Sequence, residues 1–169
     1  MNTLHNLRET GVTRKFDTII LHCTATKEGY NMTVEQIDRL HKKNGWRGIG
    51  YHFVIYRDGS VHDGRDINEV GAHAAPYNTG SVGIVYVGGL DVNGKPKDTR
   101  TQEQKDAMFA LVKKLMEMYP IKKVIGHRDI SPDKNGNGII ERKEWIKACP
   151  CFEVSEWVKE NRLDLLLKK

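Results

Sequence analysis

The chain has 169 residues and a mass of 19.3 kDa, enough for one domain with a hydrophobic core. Hydrophobic residues make up 38% and charged residues 29%, a globular balance that excludes a disordered or fibrous chain, and no apolar run approaches the roughly 20 residues of a membrane-spanning helix. Lysine and arginine (27) exceed aspartate and glutamate (22) by a modest +5, which fits anionic surroundings such as a cell wall or nucleic acid and proves neither.

Residues 1–15 are polar and mixed in charge, with no apolar stretch of the kind a Sec signal peptide carries. They read as a loosely attached N-terminal arm ahead of a single domain, 16–169. Residues 18–23 (TIILHC) predict a short buried strand. Thr33 and Gln36 form a capping-box pattern, and Val34, Ile37 and Leu40 mark the apolar stripe of the helix that follows, ending at Asn44-Gly45. Residues 51–57 (YHFVIYR) predict a strand, which Asp58-Gly59 turns back into 60–63 as a hairpin. Residues 81–87 (SVGIVYV) predict another strand. Thr101 and Gln104 repeat the capping-box signal, and Ala107, Leu111, Leu115 and Met118 give a long amphipathic helix ended by Pro120. Residues 122–126 (KKVIG) are the last predicted strand, and a terminal helix carries Val154, Trp157 and Val158. Strands interleaved with helices predict an α/β domain, a central sheet flanked by helices, and the hairpin makes that sheet mixed.

Two of the seven histidines sit at telling positions. His22 lies near the C-terminal end of the first strand, and His127 directly follows the last strand in GHRD. Strand ends are where α/β sheets place ligands and catalytic groups. Alternation along a strand sends the side chain of Cys23 to the opposite face from His22, into the packed side. Three cysteines, an odd number, argue against a disulfide framework and for a metal ligand or reactive thiol. Two of them, Cys149 and Cys151, flank Pro150 in KACPCF. Two histidines and one cysteine from distant segments make a three-ligand zinc site with an open fourth position, the catalytic pattern. Spacing does not choose between Cys149 and Cys151.

The segments LHCTAT (21–26), GWRGIGYHFVIYRDG (45–59), GAHA (71–74), YNTGSVGI (77–84), GHRD (126–129) and KACPCF (147–152) follow one another in a familiar order. Over roughly residues 16–158 the chain resembles the zinc-dependent N-acetylmuramoyl-L-alanine amidases of the small phage lysozyme type, which share a fold with peptidoglycan recognition proteins. The resemblance implies that His22, His127 and Cys149 ligate zinc, that Tyr51 and Lys147 are catalytic, and that His73 and Asn78 line the substrate groove. It implies a hydrolase that cuts the amide between N-acetylmuramic acid and L-alanine of peptidoglycan, a bacteriolytic endolysin of phage or prophage origin. The lack of a signal peptide fits accumulation in the cytoplasm and action on the wall after release. A monomer without membrane insertion or nucleic-acid partner is expected. The alternative is a non-catalytic peptidoglycan-binding module; such relatives typically lack the ligand cysteine, which is present here as Cys149.

Residues 133–144 read DKNGNGIIERKE, against the EF-hand loop pattern. Asp133 falls at position 1, Asn135 at 3, Asn137 at 5, Gly138 at 6, the Ile139 carbonyl at 7, Ile140 at the apolar position 8, Glu141 at 9 and Glu144 at 12. This predicts a Ca²⁺ site in a stretch where the small phage enzymes have a shorter connection. Pro132 just before the loop argues against a standard entering helix.

Overall fold

The computed structural model describes residues 4–145 and 147–169. In chain order it contains β1 (Thr18–Cys23), β2 (Thr26–Lys27), α1 (Val34–Lys43), β3 (Phe53–Ile55), β4 (Val61–Asp63), β5 (Ser81–Tyr86), β6 (Gly89–Leu90), α2 (Gln102–Met118), β7 (Lys123–Gly126) and α3 (Val154–Glu160). The main sheet has the order β4-β3-β5-β1-β7. β1 runs parallel to both β5 and β7, and β3 runs parallel to β5. Only β4 is antiparallel, paired to β3 through the Asp58-Gly59 turn, where Gly59 takes φ +86°. The domain is therefore the expected α/β unit with a mixed central sheet.

Alternation along the strands sorts the core into two layers. Ile19, Leu21 and Cys23 of β1 join Phe53, Ile55, Ile84 and Tyr86 on one face, under Met108, Leu111, Val112 and Leu115 of α2 and Val154, Trp157 and Val158 of α3. On the opposite face Val54, Val85 and Val87 pack against Ile37 of α1. His22 pairs in register with Val85, so it stands on this second face, and Cys23 is buried in the first.

Both capping boxes form. Gln36 N–H donates to Thr33 Oγ1 at 3.3 Å, and Thr33 N–H donates back to Gln36 Oε1 at 2.9 Å. The Thr101–Gln104 box closes at 3.0 and 2.9 Å. Gln104 is wholly buried, and its Nε2 also donates to the carbonyls of Ile55 and Val87. One residue thus caps α2 and ties it to the sheet.

Three details depart from the sequence reading. The strand expected over 51–57 is limited to Phe53–Ile55. The carbonyls of Gly50 and Tyr51 leave the ladder to accept from Ala72 and Arg65 N–H instead. A small two-stranded sheet, β2 with β6, adds a pairing that two-residue strands do not announce in sequence. From Leu4 onward the N-terminal segment, expected to be loosely attached, is fastened to the domain. Leu4 is buried, and the fully buried Asn6 donates to the carbonyls of His52 and Arg65 and accepts from Ile67 N–H. Arg14 donates to the carbonyls of Ile67, Thr79 and Ser81. A buried amide that meets only backbone partners must be matched this completely, which explains a firm attachment in a polar stretch. Among the described residues no helix is long and apolar enough to cross a membrane.

Candidate metal centre and active site

The register of β1 on β7 sets Leu21 opposite Gly126. One residue further along each strand come His22 and His127, side by side at the C-terminal edge of the sheet, with ring centroids 4.6 Å apart. Cys149 is fastened to both strand ends. Its Sγ accepts from Cys23 N–H at 3.1 Å, and its carbonyl accepts from Arg128 N–H at 2.8 Å. Asp129 supports the same corner, its Oδ2 accepting from Gly126 N–H at 2.7 Å. The ligand atoms of His22, His127 and Cys149 consequently lie within 4.8 Å of one another. Tetrahedral zinc with bonds of about 2.0–2.3 Å spaces its ligand atoms roughly 3.3–3.8 Å apart, so the trio needs little closing to take the ion. Cys151, the alternative that spacing left open, turns the other way and lies 3.9 Å from Cys23, sulfur to sulfur, against the core.

The histidines are held ready to ligate. Burial, reinforced by His73, His127 and Lys147, depresses the pKa of His22 well below its ordinary value. Burial and the Lys147 charge push His127 down to about 4. Both rings are therefore neutral at pH 7, the form a metal requires. His22 Nε2 meets His73 Nδ1 at 2.9 Å, which leaves His22 Nδ1 for a metal. The contacts beyond permit one consistent proton order. His22 Nε2–H donates to His73 Nδ1, His73 Nε2–H to Ser81 Oγ at 3.3 Å, and Ser81 Oγ–H to the Tyr77 carbonyl at 2.7 Å. Such an outer ring orients a ligating imidazole. Two neutral imidazoles and one cysteine sulfur, with their backing, form a donor set that fits zinc with an open position.

Tyr51 packs edge-on against His22, ring centroids 5.0 Å apart. Burial, with a smaller contribution from the thiols of Cys149 and Cys23, raises the pKa of its hydroxyl. It is a proton donor at neutral pH, not a base. Lys147 is exposed on the wall of a groove of about 860 Å³ that also takes in His127, His73 and Asn78. Asn78 lines this groove while holding its own loop, its Oδ1 accepting from the N–H groups of His73 and Ala74.

Sequence reasoning missed several contributors. Trp46 and Tyr77 are exposed aromatics on the groove, and Ser81 completes the chain behind His73. Gly83 is also needed, since a Cβ there would lie 2.6 Å from the His73 ring. The available signal was an aromatic beside glycine in GWRGIG and a glycine inside a strand pattern, which marks close approach of another group.

A family model described as N-acetylmuramoyl-L-alanine amidase matches residues 12–139. The endolysin of Enterobacteria phage K11 is 38% identical over 143 residues, covering 85% of this chain and 85% of that one. Among solved structures, the endolysine N-acetylmuramoyl-L-alanine amidase LysCS from Clostridium intestinale URNW superposes with a TM-score of 0.68 at 31% identity, over 91% of this chain and 86% of that one. Drosophila PGRP-LB has the same fold, with a TM-score of 0.63 at 24% identity over 88% of this chain and 82% of that one. Sequence match and fold agree across most of the chain, which belongs to the N-acetylmuramoyl-L-alanine amidase family.

Proposed function

We propose that the protein is a zinc-dependent endolysin. It hydrolyses the amide between the lactyl carbonyl of N-acetylmuramic acid and the amino group of L-alanine in peptidoglycan. It accumulates in the cytoplasm and reaches the wall on release. The observation that carries this reading is the convergence of His22, His127 and Cys149 at the sheet edge, beside a groove of about 860 Å³ that His127 itself lines. The family match and the endolysin relative support the substrate.

His22, His127 and Cys149 would hold the ion. When bound, zinc would supply a Lewis acid and lower the pKa of water toward roughly 7. The remaining work falls to the chain. The groove fixes the peptide stem against the sheet edge, with Trp46 and Tyr77 offering apolar faces. Lys147 sits on the groove wall beside His127, where its charge offsets the negative charge that grows on the carbonyl oxygen. Tyr51, held protonated, donates a hydrogen bond to that oxygen or delivers a proton to the departing amine. His73 acts as a positioning residue through His22.

Digestion of purified sacculi with mass spectrometry of the released material tests this reading. Free stem peptides beginning with L-alanine are expected. Cut glycan with peptides still attached would contradict it.

A further inference from the structure

From the 133–144 loop we infer a second metal site, one for a hard divalent cation of the Ca²⁺ class, built into the wall of the groove and independent of the zinc cluster. The sequence places oxygen-bearing side chains at the spacing such a cation requires. Acidic residues and tight turns are common without an ion, so the inference turns on Glu144.

Glu144 is only 3% exposed, although it is a carboxylate. One of its oxygens, Oε2, accepts from Lys134 N–H at 3.0 Å, so the side chain reaches back across the loop to the second residue of the motif. Its other oxygen, Oε1, is buried without a hydrogen-bond partner among the described residues. A buried carboxylate oxygen left bare is costly, and the remedy is a proton, a donor or a cation. At position 12 of this motif the glutamate ligates through both oxygens, which is the role an unpartnered Oε1 beside a placed Oε2 can fill.

The other positions are held by hydrogen bonds within the loop. Asp133 is braced by Gly136 and Gly138 N–H at 3.0 and 2.7 Å. Asn135 and Asn137 accept at Oδ1 from Asn137 and Ile139 N–H respectively, and both donate from Nδ2 to the Glu141 carboxylate. Gly136 and Gly138 take φ +71° and +81°, which other residues adopt poorly. The side-chain oxygens of Asp133, Asn135 and Asn137, the Ile139 carbonyl and both oxygens of Glu144, with Glu141 through water, supply the roughly six to eight oxygen donors that Ca²⁺ takes. Short 3-10 turns, His127–Ile130 and Arg142–Glu144, stand where an EF-hand has helices. The site is thus the loop alone, with neutral asparagines at two ligand positions. This places its affinity toward the weak end, around 10⁻⁴–10⁻³ M.

The location gives the ion a task. The loop joins His127 to Cys149, and Asp133 lines the groove together with Lys147. A cation clamping Asp133 to Glu144 fixes both ends of the connection that delivers Lys147 and Cys149.

The experiment titrates Ca²⁺ into zinc-loaded protein in calcium-free buffer, following heat and melting temperature. Terbium luminescence excited through Trp145, the residue after Glu144, provides a local probe. One Ca²⁺ per chain is expected, with terbium emission that Ca²⁺ displaces. At a hundredfold excess over Kd the melting temperature should rise by roughly 5–10 °C. Glu144→Gln and Asp133→Asn should abolish binding with zinc content unchanged. Because Glu144→Gln alters a buried group and could prevent folding, the double variant Asn135→Asp with Asn137→Asp gives a gain-of-function test, with affinity expected to tighten about tenfold or more. No binding up to about 10 mM Ca²⁺, or affinity unmoved by these substitutions, overturns the inference. Either result leaves the zinc reading untouched, since zinc is measured separately.

Discussion

Nε2 of His22 and Nδ1 of His73 stand 2.9 Å apart in a buried contact, so the ring expected to ligate zinc is oriented by a second histidine 51 residues away in sequence. This link does more than line the groove. Outer partners of a ligating histidine fix its tautomer and typically contribute 10–100-fold to metal affinity, by order of magnitude about 1–3 kcal/mol. His73→Ala is therefore expected to weaken zinc binding about 10–100-fold in competition with a chromogenic chelator. Unchanged affinity would remove His73 from this role.

Lys147 and Tyr51 should behave differently from His73. Neither is among the three residues whose donor atoms cluster; Lys147 lines the groove beside His127, and Tyr51 packs edge-on against the His22 ring. Loss of such a donor typically costs about 10²–10³ in rate. Lys147→Ala and Tyr51→Phe are expected to retain one zinc per chain and lose about that much turnover on sacculi. Full activity in either variant would take that residue out of the mechanism.

Much of this was legible in the sequence. The two capping boxes, the 58–59 turn and the buried strand 18–23 are local signals, and they hold because side-chain period and cap chemistry act over a few residues. His22 and His127 were readable from their positions at strand ends. The rest depends on distance. Cys149 is set apart from Cys151 by contacts with the ends of β1 and β7, the first of them 126 residues away in sequence. The His22–His73–Ser81 chain and the fastening of Asn6 join segments that no local pattern connects. Tyr51 was placed in a strand, whereas it precedes β3, its carbonyl committed to Arg65.

Gly83 is the packing counterpart of His73. An added Cβ would lie 2.6–2.8 Å from atoms of the His73 ring, including the Nδ1 that meets His22. Gly83→Ala is expected to destabilise the domain by about 1–3 kcal/mol and to weaken zinc binding together with it. Denaturant unfolding and zinc competition measure the two effects. A stable variant with weakened zinc would still support the steric link, whereas a variant unchanged in both would refute it.

His52 supplies a pH dependence separate from the metal. It is wholly buried, donates from Nε2 to the Glu69 carbonyl at 2.8 Å, and accepts at Nδ1 from Gly83 N–H at 3.1 Å. Burial lowers its pKa from 6.5 to about 4. The unfolded chain therefore binds this proton at higher pH than the folded one. The contribution is complete above about pH 6.5 and is lost as pH falls toward 4, on the order of 3 kcal/mol. Unfolding free energies between pH 7.5 and 4.5 should fall on acidification, and His52→Asn should be less stable at pH 7.5 with a shallower slope. A slope identical to the parent would assign the acid sensitivity elsewhere.

The ligand trio itself is open to direct observation by X-ray absorption at the zinc edge of the purified, zinc-loaded protein. One sulfur near 2.3 Å beside nitrogen or oxygen scatterers near 2.0 Å is expected, with the sulfur lost in Cys149→Ser and retained in Cys151→Ser. A zinc shell without sulfur, or one whose sulfur survives Cys149→Ser, would contradict the site.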